Sequence, residues 1–394
     1  MVVSSIVGVR VASAHDISAA ERPWSQTPPS RPARVGNLEL VASLMGDQPA
    51  GIAVSDSGRL FITFPRHDGP VPFSVGEMKD GHPVAYPNEA LNHADPGRPA
   101  DTLFSVQTLL VDASNRLWML DTGTLQFGEP PIKGAPKLVA VDLDSGRLIR
   151  AIPLPPDALV PNSALKDFRF DFHRGQEGVA FITDSAPGSE ALIVLDLASG
   201  HAQRRLTGSP VVSARPGRTP IVGYEPLLEW PAKSIQGGAP KPWLVGLNAI
   251  ELSADRHTLY FSAFTGRRLY SIDPGDLAAP DVDNASLVGK IASIGDIGMA
   301  GHFTLDTDGR LYFMDMEQNA IFRRTADGRV QTVVVDPRLM WPDTMAIGPD
   351  QYLYLTTSQH DRRPEFHVGE ELRQHPYGLF RVFVGARPVR ATER

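Results

Sequence analysis

Six strand-like runs recur along the chain, and the second member of each hairpin carries the same signature. They are Leu60-Phe61-Ile62-Thr63, Leu117-Trp118-Met119-Leu120, Val179-Ala180-Phe181-Ile182, Leu259-Tyr260-Phe261-Ser262, Leu311-Tyr312-Phe313-Met314 and Leu353-Tyr354-Leu355-Thr356. Most follow a polar turn, such as Asp56-Ser57-Gly58-Arg59 or Asp306-Thr307-Asp308-Gly309-Arg310. The leading residues are spaced by 57, 62, 80, 52 and 42 positions. A repeat of this size cannot bury its own apolar face, so its copies must stack or close into a ring.

Each repeat runs on into further strands. Lys137–Asp142 turns at Asp144-Ser145-Gly146 into Arg147–Ile152, Ala191–Asp196 turns at Ser199-Gly200 into His201–Leu206, and Ala320–Arg324 turns at Ala326-Asp327-Gly328 into Arg329–Val334. Short runs across Gly and Asp turns read as hairpins. Four antiparallel strands make a propeller blade, and six blades predict an all-β, six-bladed β-propeller. The last blade is one strand short after Tyr377–Val384, and Asn37–Ala42 has no partner of its own. The expectation is that this N-terminal strand completes the last blade and latches the ring.

The domain reading follows: residues 1–35 as a disordered tail or remnant signal segment, 36–386 as the propeller, and 387–394 as a C-terminal tail. Pro65–Ala100 is expected to interrupt the first blade. Gly208–Trp243, with seven Pro and five Gly, accounts for the longest interval. Such insertions decorate one face and often act as lids.

Composition excludes several classes. There is no cysteine, which removes disulfides, thiolate metal sites and cysteine nucleophiles. Net charge is -7 with no basic run, so nucleic acid is not an expected partner. No run approaches the roughly 18 apolar residues of a membrane helix, and no membrane partner is expected. Ile6-Val7-Gly8-Val9 followed by Ala12-Ser13-Ala14 resembles the end of a signal peptide, which predicts a secreted or periplasmic protein, with a cytoplasmic one as the alternative.

Alignment of the repeats places one residue per blade at the mouth of the central channel: Ala50, Gln107, Asp167, Asn248, Gly301 with His302, and Asp343. The set contains no arginine. Asp121, Asp184 and Asp315 end second strands on the same face, further out, and are expected to cap turns by accepting backbone hydrogen bonds. Asp167 and Asp343 would repel one another in a narrow channel unless something relieves them. A hard divalent cation such as Ca²⁺, a bound organic cation, or a shared proton on a raised pKa would each do so. A small-molecule ligand is the expected partner, with Gln107, Asp167, Asn248, His302 and Asp343 as its candidate contacts. His67, His360, His367 and His375 fall in polar segments and read as solvated.

Asp101–Asp112 together with Arg116–Gly123 closely resembles the signature of the major royal jelly protein and yellow family. So do Leu60–Arg66 and Tyr86-Pro87-Asn88, and Ser163–Phe168, Ala249–Ser253 and Trp341–Thr344 resemble later family segments in order. The resemblance implies a six-bladed propeller. It also implies one of several functions: dopachrome tautomerisation, amine binding in the channel, or storage. In the tautomerase reading Asp167 or Asp343 takes a proton and His302 or a water returns one. A more distant resemblance is to the gluconolactonase and senescence-marker-protein lactonases, which hold a divalent cation on the axis. There Asn248 and Asp343 are similar to two ligands, Ala50 stands where a glutamate is expected, and Asp167 is the substitute. The alternatives are therefore a tautomerase, a metal-dependent lactonase with Asp167, Asn248 and Asp343 as ligands, or a non-catalytic binding protein.

Overall fold

The computed structural model describes residues 36–215, 217–231 and 238–393; the leading segment 1–35 lies outside the described residues. Six four-stranded antiparallel sheets form the blades. Blade I is Ile52–Val54, Leu60–Thr63, Val75–Lys79 and His82–Ala85, and blade II is Val106–Val111, Arg116–Asp121, Lys137–Asp142 and Leu148–Pro153. Blade III is Leu165–Asp171, Val179–Asp184, Ala191–Asp196 and Ala202–Arg205. Blade IV is Leu247–Leu252, Leu259–Ala263, Arg268–Ile272 and Ala292–Asp296, and blade V is Phe303–Leu305, Leu311–Asp315, Ala320–Arg324 and Val330–Val335. Blade VI is Pro342–Ile347, Tyr352–Thr357 and Tyr377–Phe383, completed by Leu38–Leu44. That N-terminal strand pairs Leu38 with Val382 and Leu44 with Tyr377. The ring is latched as expected.

The apolar residues of the repeats fill the gaps between blades. One cluster joins blades V and VI through Tyr312, Met314, Leu353 and Leu355. Another joins blades II and III through Trp118, Leu120, Phe170 and Ile182. Across the closure, Ile52 and Ile62 of blade I pack with Leu44, Tyr354 and Leu379 of blade VI. Each large side chain buried in this way contributes roughly 1.5–3 kcal/mol, and no blade could collect that alone.

The hairpin turns use one device repeatedly. Asp112 accepts from Ser114 N, Arg116 N, Arg116 Nε and Trp118 Nε1. Asp306 accepts from Asp308 N, Arg310 N, Arg310 Nε and the Tyr312 hydroxyl. Asn115 and Gly309 adopt φ of 56° and 73° at these turns, where a small or Asx residue avoids the steric cost of a left-handed backbone.

One expectation about the segments outside the blades needs correction. Pro65–Ala100 does not interrupt blade I: it supplies the blade's two outer strands, then a short helix, Glu89–Asn92, capped by Asn88. The C-terminal residues lie across the channel face opposite the predicted mouth. There Val389 N donates to Leu305 O, Ala113 N donates to Ala391 O, and Arg390 reaches Val54 O and Val111 O.

Candidate active site

The innermost strands of four blades are irregular at the same place. Pairing slips between Val106 and Thr108, Leu165 and Phe168, Leu247 and Ala249, and Pro342 and Met345. A bulge adds a residue to one strand and re-aims its side chains. Gln107, Lys166 with Asp167, Asn248 and Asp343 occupy these four slips, so the irregularities and the candidate residues coincide.

All of these residues, with Gly301 and His302, line one cavity of about 350 Å³. Ala50 does not line it; its carbonyl accepts from the Thr344 and Thr356 hydroxyls. Asp121, Asp184 and Asp315 are turn anchors, as expected. Asp121 accepts from Phe104 N, Ser105 N and Gly123 N, Asp184 from Ala164 N and Ala186 N, and Asp315 from Met299 N and Glu317 N.

The mouth set itself contains no arginine, but one stands beyond it, lining the cavity on the other side of His302. Arg169 is buried and its guanidinium is fully engaged. Nε donates to Glu251 Oε1 at 2.9 Å, Nη1 to Asp167 Oδ1 and Phe168 O at 2.7 Å each, and Nη2 to Phe303 O at 2.7 Å. Burial pulls this guanidinium down, but Asp167 and Glu251 more than offset it and hold it above its ordinary value. It forms a floor beneath the cavity and neutralises buried carboxylates. Two residues along a strand from Asp167, it shares that residue's face, and this period-2 spacing was the available signal.

Burial pushes the Asp167 carboxyl up to about 6, against the opposing pull of Arg169. Its Oδ2 is buried without a hydrogen-bond partner and lies 3.6 Å from His302 Nε2. Burial, then Arg169, hold the His302 imidazole well below its usual value, so it is neutral. Met345 N donates to His302 Nδ1 at 3.4 Å, and His302 Nε2 faces both Asp167 Oδ2 at 3.6 Å and Arg169 Nη2 at 3.5 Å.

Lys166 is the second residue missed in the sequence. Its Nζ stands 4.7 Å from the centroid of Phe127. Burial lowers its ammonium to about 8, while Asp343 and Asp184 pull the other way and Arg363 reinforces the fall. Burial raises the Asp343 carboxyl to about 6, with Lys166 and the Ser358 hydroxyl opposing. The side-chain amides of Gln107 and Asn248 make no hydrogen bond within the described residues, and both amides are available to a ligand.

The upper wall is aromatic. Trp243, delivered by the Pro-rich insertion, lies 5.7 Å from Phe264 and 5.6 Å from both Trp341 and His360, centroid to centroid. Trp341 holds φ of 55°, a strained conformation for a bulky residue, and it sits two residues before Asp343. His67 and His360 are not solvated: both are buried in this wall, and burial, then Arg363, keep each imidazole neutral. His375 is exposed, as expected.

A divalent cation on the axis does not fit these donors. Among the described residues no three His, Asp or Glu side chains converge to hold a metal ion. Asp167 Oδ1 is taken by Arg169, and the permanent guanidinium charge repels a second cation in the same low-dielectric floor.

Comparison with known proteins agrees with this architecture. The chain is 32% identical over 139 residues to L-dopachrome tautomerase yellow-f of Drosophila melanogaster, covering 32% of each chain. It is 37% identical over 115 residues to dopaminechrome tautomerase of the same species, covering 26% of this chain and 23% of that one. With major royal jelly protein 1 of Apis mellifera it shares 25% identity over 236 residues, 57% of this chain and 49% of that one. The matched segments thus span about a quarter to a half of these relatives' own length. In fold alone the chain resembles a luciferin-regenerating enzyme, with a TM-score of 0.53 and 13% identity over 91% of this chain and 100% of that one. It likewise resembles a putative gluconolactonase, with a TM-score of 0.52 and 9% identity over 90% of this chain and 94% of that one. A sequence model of the major royal jelly protein family matches residues 104–367, and the chain belongs to that family.

Proposed function

We propose that the cavity binds a small aromatic quinonoid and moves protons on it, as a tautomerase of aminochromes. The observation that carries this reading is that Lys166 and Asp343 line one aromatic-walled cavity and act on each other's charge, with burial bringing the ammonium down to about 8 and the carboxyl up to about 6. Between those values the carboxylate is ionised and the ammonium protonated, the forms needed in a base and an acid acting together.

An aminochrome is an ortho-quinone fused to a ring bearing an iminium nitrogen. Rearrangement to a dihydroxyindole moves two protons in successive steps: each of the two saturated ring carbons loses one, and each of the two quinone oxygens gains one. Atoms and electrons balance without a cofactor. In this reading Asp343 removes the carbon-bound proton in each step and Lys166 delivers one to the oxygen. Gln107 and Asn248 orient the oxygens, and Trp243, Trp341 and Phe127 flank the ring plane. His302, being neutral, orients Asp167 and does not supply the proton. The names of the two tautomerase relatives are consistent with this substrate class.

The test is the decay of the coloured L-dopachrome and dopaminechrome chromophores with purified protein. Wild type should accelerate decay of at least one, and Asp343→Asn should lower kcat roughly 10²–10⁴-fold, the usual range for loss of a general base. Decay no faster than in buffer, or an Asp343→Asn variant as fast as wild type, would exclude the reading.

A further inference from the structure

We propose that Lys166 is also a carbonyl-capturing nucleophile, forming an imine with small aromatic aldehydes or ketones that enter the cavity. This activity stands apart from the tautomerase reading, since it needs the neutral amine and a carbonyl ligand of any origin.

The geometry separates Lys166 from the other lysines. The chain has only seven: Lys79, Lys133, Lys137, Lys166, Lys233, Lys241 and Lys290. Lys137 is buried but spent, donating to Asp121, Pro99 O, Thr102 O and Ala135 O. Lys79 and Lys290 pair with Glu77 and Asp276. Lys133 and Lys241 are exposed. Lys166 makes no ion pair within the described residues. Its amine lies against Phe127 in a cavity wide enough for a single aromatic ring.

The groups bearing on its charge are few. Asp343 and Asp184 favour the ammonium, Arg363 opposes it, and His67 and His360 are neutral. Burial wins, lowering the ammonium from 10.5 to about 8. At pH 7.5 the neutral amine is then on the order of a hundred-fold more abundant than on a surface lysine. Desolvation of this kind is how imine-forming lysines are activated.

The chemistry is self-contained. The Nζ lone pair attacks the carbonyl carbon and forms the C–N bond. Both amine hydrogens pass to the departing oxygen, which leaves as water when the C–O bond breaks. Asp343 can relay the proton from nitrogen to oxygen, being the carboxylate whose charge acts most strongly on Lys166.

The experiment is reductive trapping of the full chain with 4-hydroxybenzaldehyde and sodium cyanoborohydride, followed by peptide mass spectrometry. The expected result is modification at Lys166 at least ten-fold above Lys79, Lys133, Lys241 or Lys290, with an initial rate that rises through about pH 8. Lys166→Arg should abolish the dominant adduct while keeping the wild-type melting transition. Labelling spread evenly over the surface lysines of the wild type would overturn the proposal without any variant. The aldehyde is not an aminochrome, so a protein inert towards dopachrome but trapped at Lys166 would overturn only the tautomerase reading.

Discussion

Arg169 Nη1 lies 2.7 Å from Asp167 Oδ1, and the same guanidinium holds Glu251 through Nε at 2.9 Å. One permanent cation thus anchors two buried carboxylates from neighbouring blades at the centre of the ring. Removing it leaves both charges in a low-dielectric floor. Arg169→Met should therefore cost about 3–5 kcal/mol, the range for breaking a buried ion pair on one side. Urea denaturation measures it, and a loss below about 1 kcal/mol would show that water reaches the floor.

Asp121 and Lys137 make a comparable pair further from the axis, at 2.9 Å and both fully buried. Lys137 Nζ has three carbonyl partners besides Asp121, but they carry no charge to balance it. Asp121→Ala should destabilise by roughly 3–5 kcal/mol. Lys137→Met should cost less, since Asp121 keeps its three backbone donors. The order of the two urea midpoints is the check.

The raised Asp343 carboxyl has a definite sign in stability. Its folded-state value, about 6, lies above the ordinary 3.8, so the folded protein binds the proton more tightly than the unfolded chain. The ionised group therefore costs stability above pH 6, and that cost fades as pH falls towards 4. Asp343→Asn should be more stable than wild type at pH 8, by roughly 1–3 kcal/mol, and the gap should close by pH 4. Parallel melting curves at pH 4 and pH 8 would show it; a gap independent of pH would contradict the assignment.

Chelation separates this site from a lactonase-type metal centre. With Asp167 engaged by Arg169, addition of EDTA should leave the melting temperature unchanged. A fall of several degrees, restored by Ca²⁺, would mean that a cation belongs on the axis after all.

The ring was readable because closure imposes the same demand six times: an apolar second strand led by Leu or Val and usually carrying an aromatic, such as Leu311–Asp315, after a turn. The same regularity located Gln107, Asp167, Asn248, His302 and Asp343 at one mouth. Lys166 and Arg169 were missed for local reasons. Strict alternation assigns Lys166 to the face opposite Asp167, yet the bulge between Leu165 and Phe168 lets both line the cavity region. Arg169 lies on the same face as Asp167 but one step deeper, beyond the mouth at which the repeats were aligned. His67, His360 and Trp243 come from loops that the repeat does not constrain, and only packing decides that they meet.

The most direct test of the acid–base pair is the pH dependence of kcat/KM for aminochrome conversion. Asp343 must be ionised, so activity should fall below about pH 6; Lys166 must be protonated, so it should fall again above about pH 8. Lys166→Met should remove the alkaline limb and Asp343→Asn the acid one. A wild-type profile flat from pH 5 to pH 9, or limbs that survive both substitutions, would contradict the account.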